Sequence, residues 1–286
     1  MSVPPEFSWS KIDEAEAVRV NVPFAGAGRY VAPRFDQHQK RWCGACFLVA
    51  TAQMLEDRLH ISRCRQARRA LKRKVFDLQS LLDQHNQYVT ETATYNSCHG
   101  GYATDVVKCI QDKACRVYAT ESQDSWLGFV QRVFRAPPKL HEVSLEITNM
   151  RHIPRSEVQR ELMTSGTVLL YINAKVVAST NDQGIMTDLD GLPEENHAVS
   201  VVGWTHVDMH LHWIVRNSWG DQKPENLPKG YQTCNVLGSN RCEVAYEKWN
   251  SIRAGHMKGF CLLPDRFEPL QVEYAQQSPW FCADVS

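Results

Sequence analysis

The 286-residue sequence lacks a net charge: 32 lysines and arginines balance 32 aspartates and glutamates. A nucleic-acid binder is expected to carry a basic excess that neutralises phosphates, so polyanions are not the expected partner. The sequence also lacks any apolar run near the ~18–20 residues that span a bilayer. Its longest runs are short ones such as Thr167–Ile172 and Ala198–Trp204, which exclude a transmembrane helix. The first thirty residues lack the apolar core of a secretory signal, because Glu6, Lys11, Asp13, Glu14 and Glu16 interrupt it. That predicts a chain that starts in the cytosol or has already been trimmed. There is no internal repeat and no low-complexity segment.

What is present is enough apolar material for a large core. At 43% hydrophobic residues, the length suits one large domain or two lobes around buried cores. Ten cysteines are many for a cytosolic protein of this size and few for a disulfide scaffold, so they leave the redox compartment open.

Along the chain, residues 1–42 show little periodicity and scattered aromatics (Phe7, Trp9, Phe24, Tyr30, Phe35), which predicts an extended segment. From Cys46 to about Leu59, Phe47, Val49, Ala50, Met54 and Leu55 recur at helical spacing, with Gln53, Glu56, Asp57 and Arg58 as the polar positions. Arg63–Lys74 holds seven basic residues in twelve and no acid, and Val75–Asp83 reads as a second helix. A short helix is expected around Asp105–Asp112, then irregular chain to about Arg151, then a helix at Ser156–Met163. Thr167–Val177, His197–Trp204 and His210–Asn217 are β-branched, apolar runs that predict antiparallel strands. A helical first half and a stranded second half predict an α+β protein of two lobes with a site in the cleft between them.

Three positions carry the chemistry. Cys46 follows Cys43-Gly44-Ala45 at the start of the first predicted helix, where unsatisfied N–H groups and the helix dipole favour a thiolate. His197 starts an apolar strand, a rigid place for an acid–base imidazole. Asn217 ends the next strand; its amide can hold that imidazole in one tautomer, with Trp219 shielding the bond from water. The order Cys, His, Asn is that of a papain-type cysteine peptidase.

The motifs resemble that family closely. Gly44-Ala45-Cys46-Phe47 stands where the family usually has Gly-Ser-Cys-Trp, Cys98-His99-Gly100-Gly101 is similar to its Cys-x-Gly-Gly, and Asn217-Ser218-Trp219-Gly220 is its Asn-Ser-Trp-Gly. The resemblance covers about Trp9 to Gly220. It implies an α+β, papain-like two-lobed fold over a single domain, residues 1–286. An extended segment (1–36) would precede a mainly helical left lobe (about 37–150) and an antiparallel, β-barrel-like right lobe (about 151–286). Cys46 and His197 would face each other across the cleft as an ion pair, and Gly100 and Gly101 would pair with the substrate backbone. Cys43 would bond Cys98. A polypeptide would be the substrate, with no cofactor, metal, nucleic acid or membrane required.

In the family the oxyanion is held by the nucleophile's N–H and a glutamine six residues upstream; here that position is Lys40, and Gln37 lies nine before Cys46. This displacement resembles the cathepsin X branch, whose members remove single C-terminal residues. There the glutamine is followed by an insertion beginning with histidine, and an aromatic precedes the first cysteine, as in Gln37-His38-Gln39-Lys40-Arg41-Trp42-Cys43. Phe7-Ser8-Trp9-Ser10 and Glu56–Ile61 are also similar to that branch. The resemblance implies that His38, with Trp42 near by, holds a substrate's terminal carboxylate, assisted by Lys40 or Arg41.

Other readings stand beside these. Cys43 and Cys46 could form a metal or redox pair, but Cys234 and Cys242 lie eight apart and do not complete the usual zinc spacing. His206, His210 and His212 could be a metal cluster or ordinary turn residues. The Arg63–Lys74 run could meet a partner or be a solvated helix face, and His99 is expected at the surface. Gln84 stands where the family has a disulfide cysteine, and Asp221–Gly230 departs from the family loop. These departures motivate an alternative: a non-catalytic, protein-binding component of a larger, for instance viral, assembly. On either reading the chain is expected in the cytoplasm or a virion rather than a lysosome. With Cys46 as a catalytic thiol, nine cysteines remain, so at least one more is unpaired or bonded to another chain.

Overall fold

The structure, a computed structural model, describes residues 2–25, 30–32, 35, 37, 43–92, 97–121, 140–178, 185–187, 196–219, 260–265 and 279–286. Its central element is a long helix that begins at the nucleophile candidate. The extended N-terminal segment contains β1 (Phe7–Ser8) and a short helix, α1 (Glu14–Arg19). That helix was not expected from periodicity. It starts because Asp13 and Glu16 form a capping box, each side chain accepting from the other residue's backbone N–H.

Helix α2 (Cys46–Ala67) runs well past Leu59 and is buried at every residue from Cys46 to Ile61. The polar positions Gln53, Glu56, Asp57 and Arg58 therefore do not form a solvated face; Asp57 is fully buried. They are accommodated by internal partners. Arg58 donates to the carbonyl oxygen of Thr167 at 2.8 Å and pairs with Glu161 at 2.8 Å and Asp284 at 3.1 Å. Glu56 pairs with Arg73 at 3.1 Å and accepts from the N–H of Phe76 at 2.9 Å. Burial pushes the Glu56 carboxyl up to about 7, against the pull of Arg73.

The basic run following α2 is likewise only partly solvated. Arg73 is buried against Glu56 and Asp57, and Arg65 lies over the Trp9 ring at 5.8 Å while donating to the carbonyl of Val20. Arg68, Arg69 and Lys72 are exposed. Lys74 opens β2 (Lys74–Phe76), so Val75–Asp83 is not one helix: the chain is extended to Phe76, and α3 (Leu78–Thr92) follows Asp77, which accepts from the N–H of Ser80. After α4 (Ala103–Gln111), the stretch read as irregular contains β3 (Val117–Glu121), β4 (His141–Val143) and β5 (Ile147–His152). Strands β2, β3 and β4 make a small antiparallel sheet.

The larger sheet is antiparallel in the order β5, β10, β6, β7, β8, β9, with β6 (Val168–Ile172), β7 (His197–Val207), β8 (His210–Arg216), β9 (Phe260–Pro264) and β10 (Trp280–Val285). Helix α5 (Val158–Ser165) lies where Ser156–Met163 was expected. The Thr167–Val177 run does not stay extended. Asn173 accepts from the N–H groups of Lys175 and Val176, through its side chain and its carbonyl, and a short helix, α6 (Ala174–Ala178), follows.

Helix α2 packs on this sheet through β7, β10 and β6. Beyond the first residue of β6, β1 continues along the same edge of β7, pairing Phe7 with Trp204 and Ser8 with Gly203. Trp9 is fully buried; its indole donates to the carbonyl of Leu162 at 2.7 Å, and its ring meets Phe7 edge-on at 5.2 Å. Tyr171 accepts from the N–H of Ala103 at 2.8 Å, tying β6 to the start of α4.

Cys43 bonds Cys98, as the resemblance implied, and a second disulfide joins Cys109 to Cys115. At Gln84 the side-chain amide bonds both backbone groups of Arg116: it donates to the carbonyl at 2.9 Å and accepts from the N–H at 2.8 Å. Among the described residues Cys64 and Cys282 are buried thiols. His212 donates to the carbonyl of His210, and no group of three His, Cys, Asp or Glu among the described residues is placed to hold a metal ion. No helix among them is long and apolar enough to cross a membrane. Cys234, Cys242 and Asp221–Gly230 lie outside the described residues.

Gly203 lies at a register shift of β7 against β8, where a β-carbon would sit 2.6 Å from Cα of Ser8 and run into the carbonyl of Phe7. Both obstacles are backbone, so a side chain there must push β1 away. Gly203→Ala is expected to lower stability by about 1–3 kcal/mol in urea unfolding; an unchanged midpoint would contradict the close approach of β1.

Candidate active site

Cys46 is the first residue of α2, and no side chain caps that helix. Its first N–H groups are therefore left without intrahelical partners. Burial pushes the Cys46 thiol up, while the backbone N–H groups of Ala198, Phe47 and Cys46 itself pull it back; the thiol donates to the carbonyl of Gly44 at 4.0 Å. The contact with Ala198 places the sulfur beside β7, whose first residue is His197. Helix start and strand start thus meet, although they are far apart in sequence.

His197, 4% exposed, bonds through Nε2 to Oδ1 of Asn217 at 2.7 Å. Because the amide oxygen can only accept, Nε2 carries the proton and Nδ1 is the ring nitrogen left for chemistry. The register of the strands explains the meeting: β7 opens at His197 and runs antiparallel to β8, so that Ser200 faces Arg216 and Asn217 continues beyond β8 toward the β7 start. The Trp219 ring lies 4.8 Å from that of His197, inclined at 33°, and is itself 5% exposed. The two rings exclude water from the bond. Burial pushes His197 down to about 4, with the Asn217 bond working in the other direction. Burial acts on both partners against the ion pair implied by the resemblance and favours the neutral thiol and imidazole; the N–H groups around the sulfur act for the thiolate.

Gln37 is held at both ends of its amide. Nε2 donates to the carbonyl of Cys43 at 2.8 Å, Oε1 accepts from the Ser218 hydroxyl at 2.5 Å, and the backbone N–H of Gln37 donates to the carbonyl of Ser218 at 2.9 Å. The glutamine is thus fixed between the loop leading to Cys46 and the residue after Asn217. Ser218 was missed as the residue that orients Gln37; only its place between Asn217 and Trp219 could have signalled it.

On the other side, the disulfide to Cys43 and a bond from the N–H of Gly44 to the carbonyl of Cys98 at 2.7 Å fasten the turn Ser97–His99 to the nucleophile loop. A β-carbon on Gly44 would lie 2.8 Å from that carbonyl. Gly100 has φ +111°, a conformation that favours glycine, and its missing side chain would face open space. Gly101 packs on Phe47, whose ring atoms would lie 2.7–3.1 Å from a β-carbon there. The same ring lies 5.5 Å from His85, which bonds Ser97 at 2.9 Å. His99 is exposed.

The structure thus brings Cys46, His197, Asn217, Trp219 and Gln37 together, with Gly100 and Gly101 attached through the disulfide turn. His38, Lys40, Arg41 and Trp42 lie outside the described residues.

The papain family cysteine protease profile matches residues 25–252. The sequence is 27% identical over 220 residues to cathepsin K of Gallus gallus, covering 72% of this chain and 58% of that protein. It is 29% identical over 223 residues to cysteine proteinase 2 of Entamoeba histolytica, covering 75% and 63%. The chain spans about three fifths of the length of these relatives. Two solved structures share the fold over the whole chain. One, from work on antibody cross-reactivity between the mite allergens Blo t 1 and Der p 1, has a TM-score of 0.53, 17% identity and 72% of its own length covered. The other, proCathepsin B S9 from Trypanosoma congolense, has 0.56, 14% and 79%. With its α+β, papain-like fold and a family match over most of its length, the chain belongs to the papain family of cysteine proteases.

Proposed function

We propose that the chain hydrolyses peptide bonds with Cys46 as nucleophile, His197 as acid and base, and Asn217 as the group that orients the imidazole. The observation that carries this reading is the buried 2.7 Å bond from His197 to Asn217 beneath Trp219, which fixes the imidazole tautomer one residue from Ala198, whose N–H acts on the Cys46 thiol. In the first step the sulfur bonds to the scissile carbonyl carbon while His197 takes the thiol proton and then delivers it to the leaving amine. In the second, water loses a proton to His197 and attacks the thioester, releasing the acid and returning the proton to sulfur. Gln37 and the Cys46 N–H stabilise the oxyanion in both steps. The amide held between Cys43 and Ser218 supports that role for Gln37.

The substrate is a polypeptide that lies extended against Gly100 and Gly101. The finer reading is a carboxypeptidase of cathepsin X type, supported by the nine-residue spacing from Gln37 to Cys46 and by His38 and Trp42 within the intervening segment. In it, residues 1–286 form one peptidase domain with the site between residues of its first and second halves. The His197–Asn217 bond also favours this reading over a non-catalytic binding component.

Cys46→Ala is expected to remove at least about 10³-fold of peptide hydrolysis and all covalent labelling by an epoxide-type thiol inhibitor, with the fold retained by circular dichroism. Labelling that persists at another cysteine counts against Cys46.

A peptide with a free C-terminus should be cleaved at least about tenfold faster than its amide, and His38→Ala should remove that preference. Equal turnover of the two peptides excludes the carboxypeptidase reading and leaves endopeptidase action.

His197 must be neutral to accept the thiol proton, and burial holds its pKa near 4. The pH profile of kcat/KM should therefore fall on the acid side with an apparent pKa of about 4 and stay level through pH 6.5, where an exposed histidine would titrate. A limb centred at 6.5 would show a hydrated His197.

A further inference from the structure

Arg216 ends β8 immediately before Asn217 and is almost completely buried. Its Nη1 donates to the carbonyl of Ala32 at 3.0 Å and its Nη2 to Oδ2 of Asp57 at 2.9 Å, while Nε is buried with no hydrogen-bond partner among the described residues. Asp57 lies on α2, eleven residues after Cys46, or about 16 Å along the axis. Its carboxylate is saturated with donors. Oδ2 also accepts from the Thr167 hydroxyl at 3.0 Å, and Oδ1 accepts from Arg73 at 3.2 Å and from the N–H of Ala32.

A fully buried ion pair with one N–H unsatisfied is a poor device for stability, since apolar residues of similar volume often do as well. Nor does β8 need it to join the sheet, being paired with β7 on one edge and β9 on the other. What the pair does fix is distance. It links the helix that begins with the nucleophile to the strand end that carries Asn217. At the Cys46 end of the helix the same strand end reaches His197: Asn217 holds the imidazole, and the N–H of the next residue, Ala198, acts on the Cys46 sulfur. Cys46, α2, Asp57, Arg216, Asn217 and His197 thus close a ring of covalent and hydrogen-bonded links. Slack at Asp57–Arg216 would pass to the Asn217 amide, and a 2.7 Å bond has little room for it.

We infer that Asp57, through its buried pair with Arg216, is a positioning residue for Cys46, His197 and Asn217, setting the separation between the nucleophile and the amide that orients the imidazole. The inference rests on the reading that these three residues are catalytic.

The test uses the full chain with three substitutions: Asp57→Asn, Arg216→Lys and Thr167→Val. Thr167→Val removes a donor from the same carboxylate oxygen but leaves the ion pair. Three quantities are read: kcat and KM on a fluorogenic peptide, the rate of Cys46 alkylation by iodoacetamide with the Cys46→Ala protein as blank, and the melting temperature. Asp57→Asn and Arg216→Lys are expected to lower kcat and the alkylation rate about tenfold with KM within about twofold. Thr167→Val should lower the melting temperature and leave both rates within about twofold. If Asp57→Asn does not fold, Arg216→Lys, which keeps the charge, decides the matter. Wild-type rates in folded Arg216→Lys overturn the inference, as does a tenfold loss in Thr167→Val, which would mark a general structural effect. A wild-type protein that neither cleaves peptides nor alkylates rapidly at Cys46 overturns the peptidase reading as well, and so is distinguishable from failure of the positioning role alone.

Discussion

Helix α2 has no solvent-facing side from Cys46 to Ile61, and that constraint organises the molecule. A charge buried without a partner costs several kcal/mol, so each polar residue of the helix has to find its counterpart inside the protein. Glu56 finds it at β2 and Arg73, Asp57 at Ala32, Thr167 and Arg216, and Arg58 at β6, β10 and α5. One helix therefore draws the small sheet, the large sheet and the N-terminal segment onto a common axis. At its first turn, where no side chain caps it, the helix begins with Cys46.

The candidate site residues were legible because each sat on a strong local signal: Cys46 at the start of a periodic helix, His197 and Asn217 at the ends of apolar runs. What was hidden is what depends on a distant partner. Glu56, Asp57 and Arg58 look like a solvated face because a polar residue reads the same whether it meets water or an ion pair. Asp57 and Arg216 stand 159 positions apart in sequence. Strands β2, β3 and β4, three to five residues long and carrying charges, have too little alternation to stand out from loops. Thr167–Val177 reads as one strand because nothing in a β-branched run announces that Asn173 will turn the backbone with its own side chain. The place of Gln37 was visible, while its clamp to Ser218 was not, since neither residue type identifies its partner.

The cross-links show two ways of holding one framework. Cys43–Cys98 joins the nucleophile loop to the turn that carries the two glycines, so a covalent bond lies within three residues of Cys46 on one side and two of Gly100 on the other. Cys109–Cys115 closes only the turn between α4 and β3. At Gln84, where the family resemblance called for a third covalent link, a side-chain amide lies flat against the backbone of Arg116 as another strand would. Two neutral hydrogen bonds replace a sulfur bridge there, and that part of the framework does not depend on redox conditions.

The placement of β10 has a consequence for biosynthesis. The last of the described strands is not at a sheet edge; it lies between β5 and β6, and its carbonyl at Ala283 accepts from Arg58 of α2, 225 positions away in sequence. A ribosome that has delivered Cys46, His197 and Asn217 has not yet delivered the strand that closes the sheet behind them. Until residue 285 emerges, the Arg58 guanidinium lacks two of its acceptors and α2 has nothing to seat against on that side. A chain that stops short of β10 thus carries Cys46, His197 and Asn217 without the strand against which the helix of Cys46 packs.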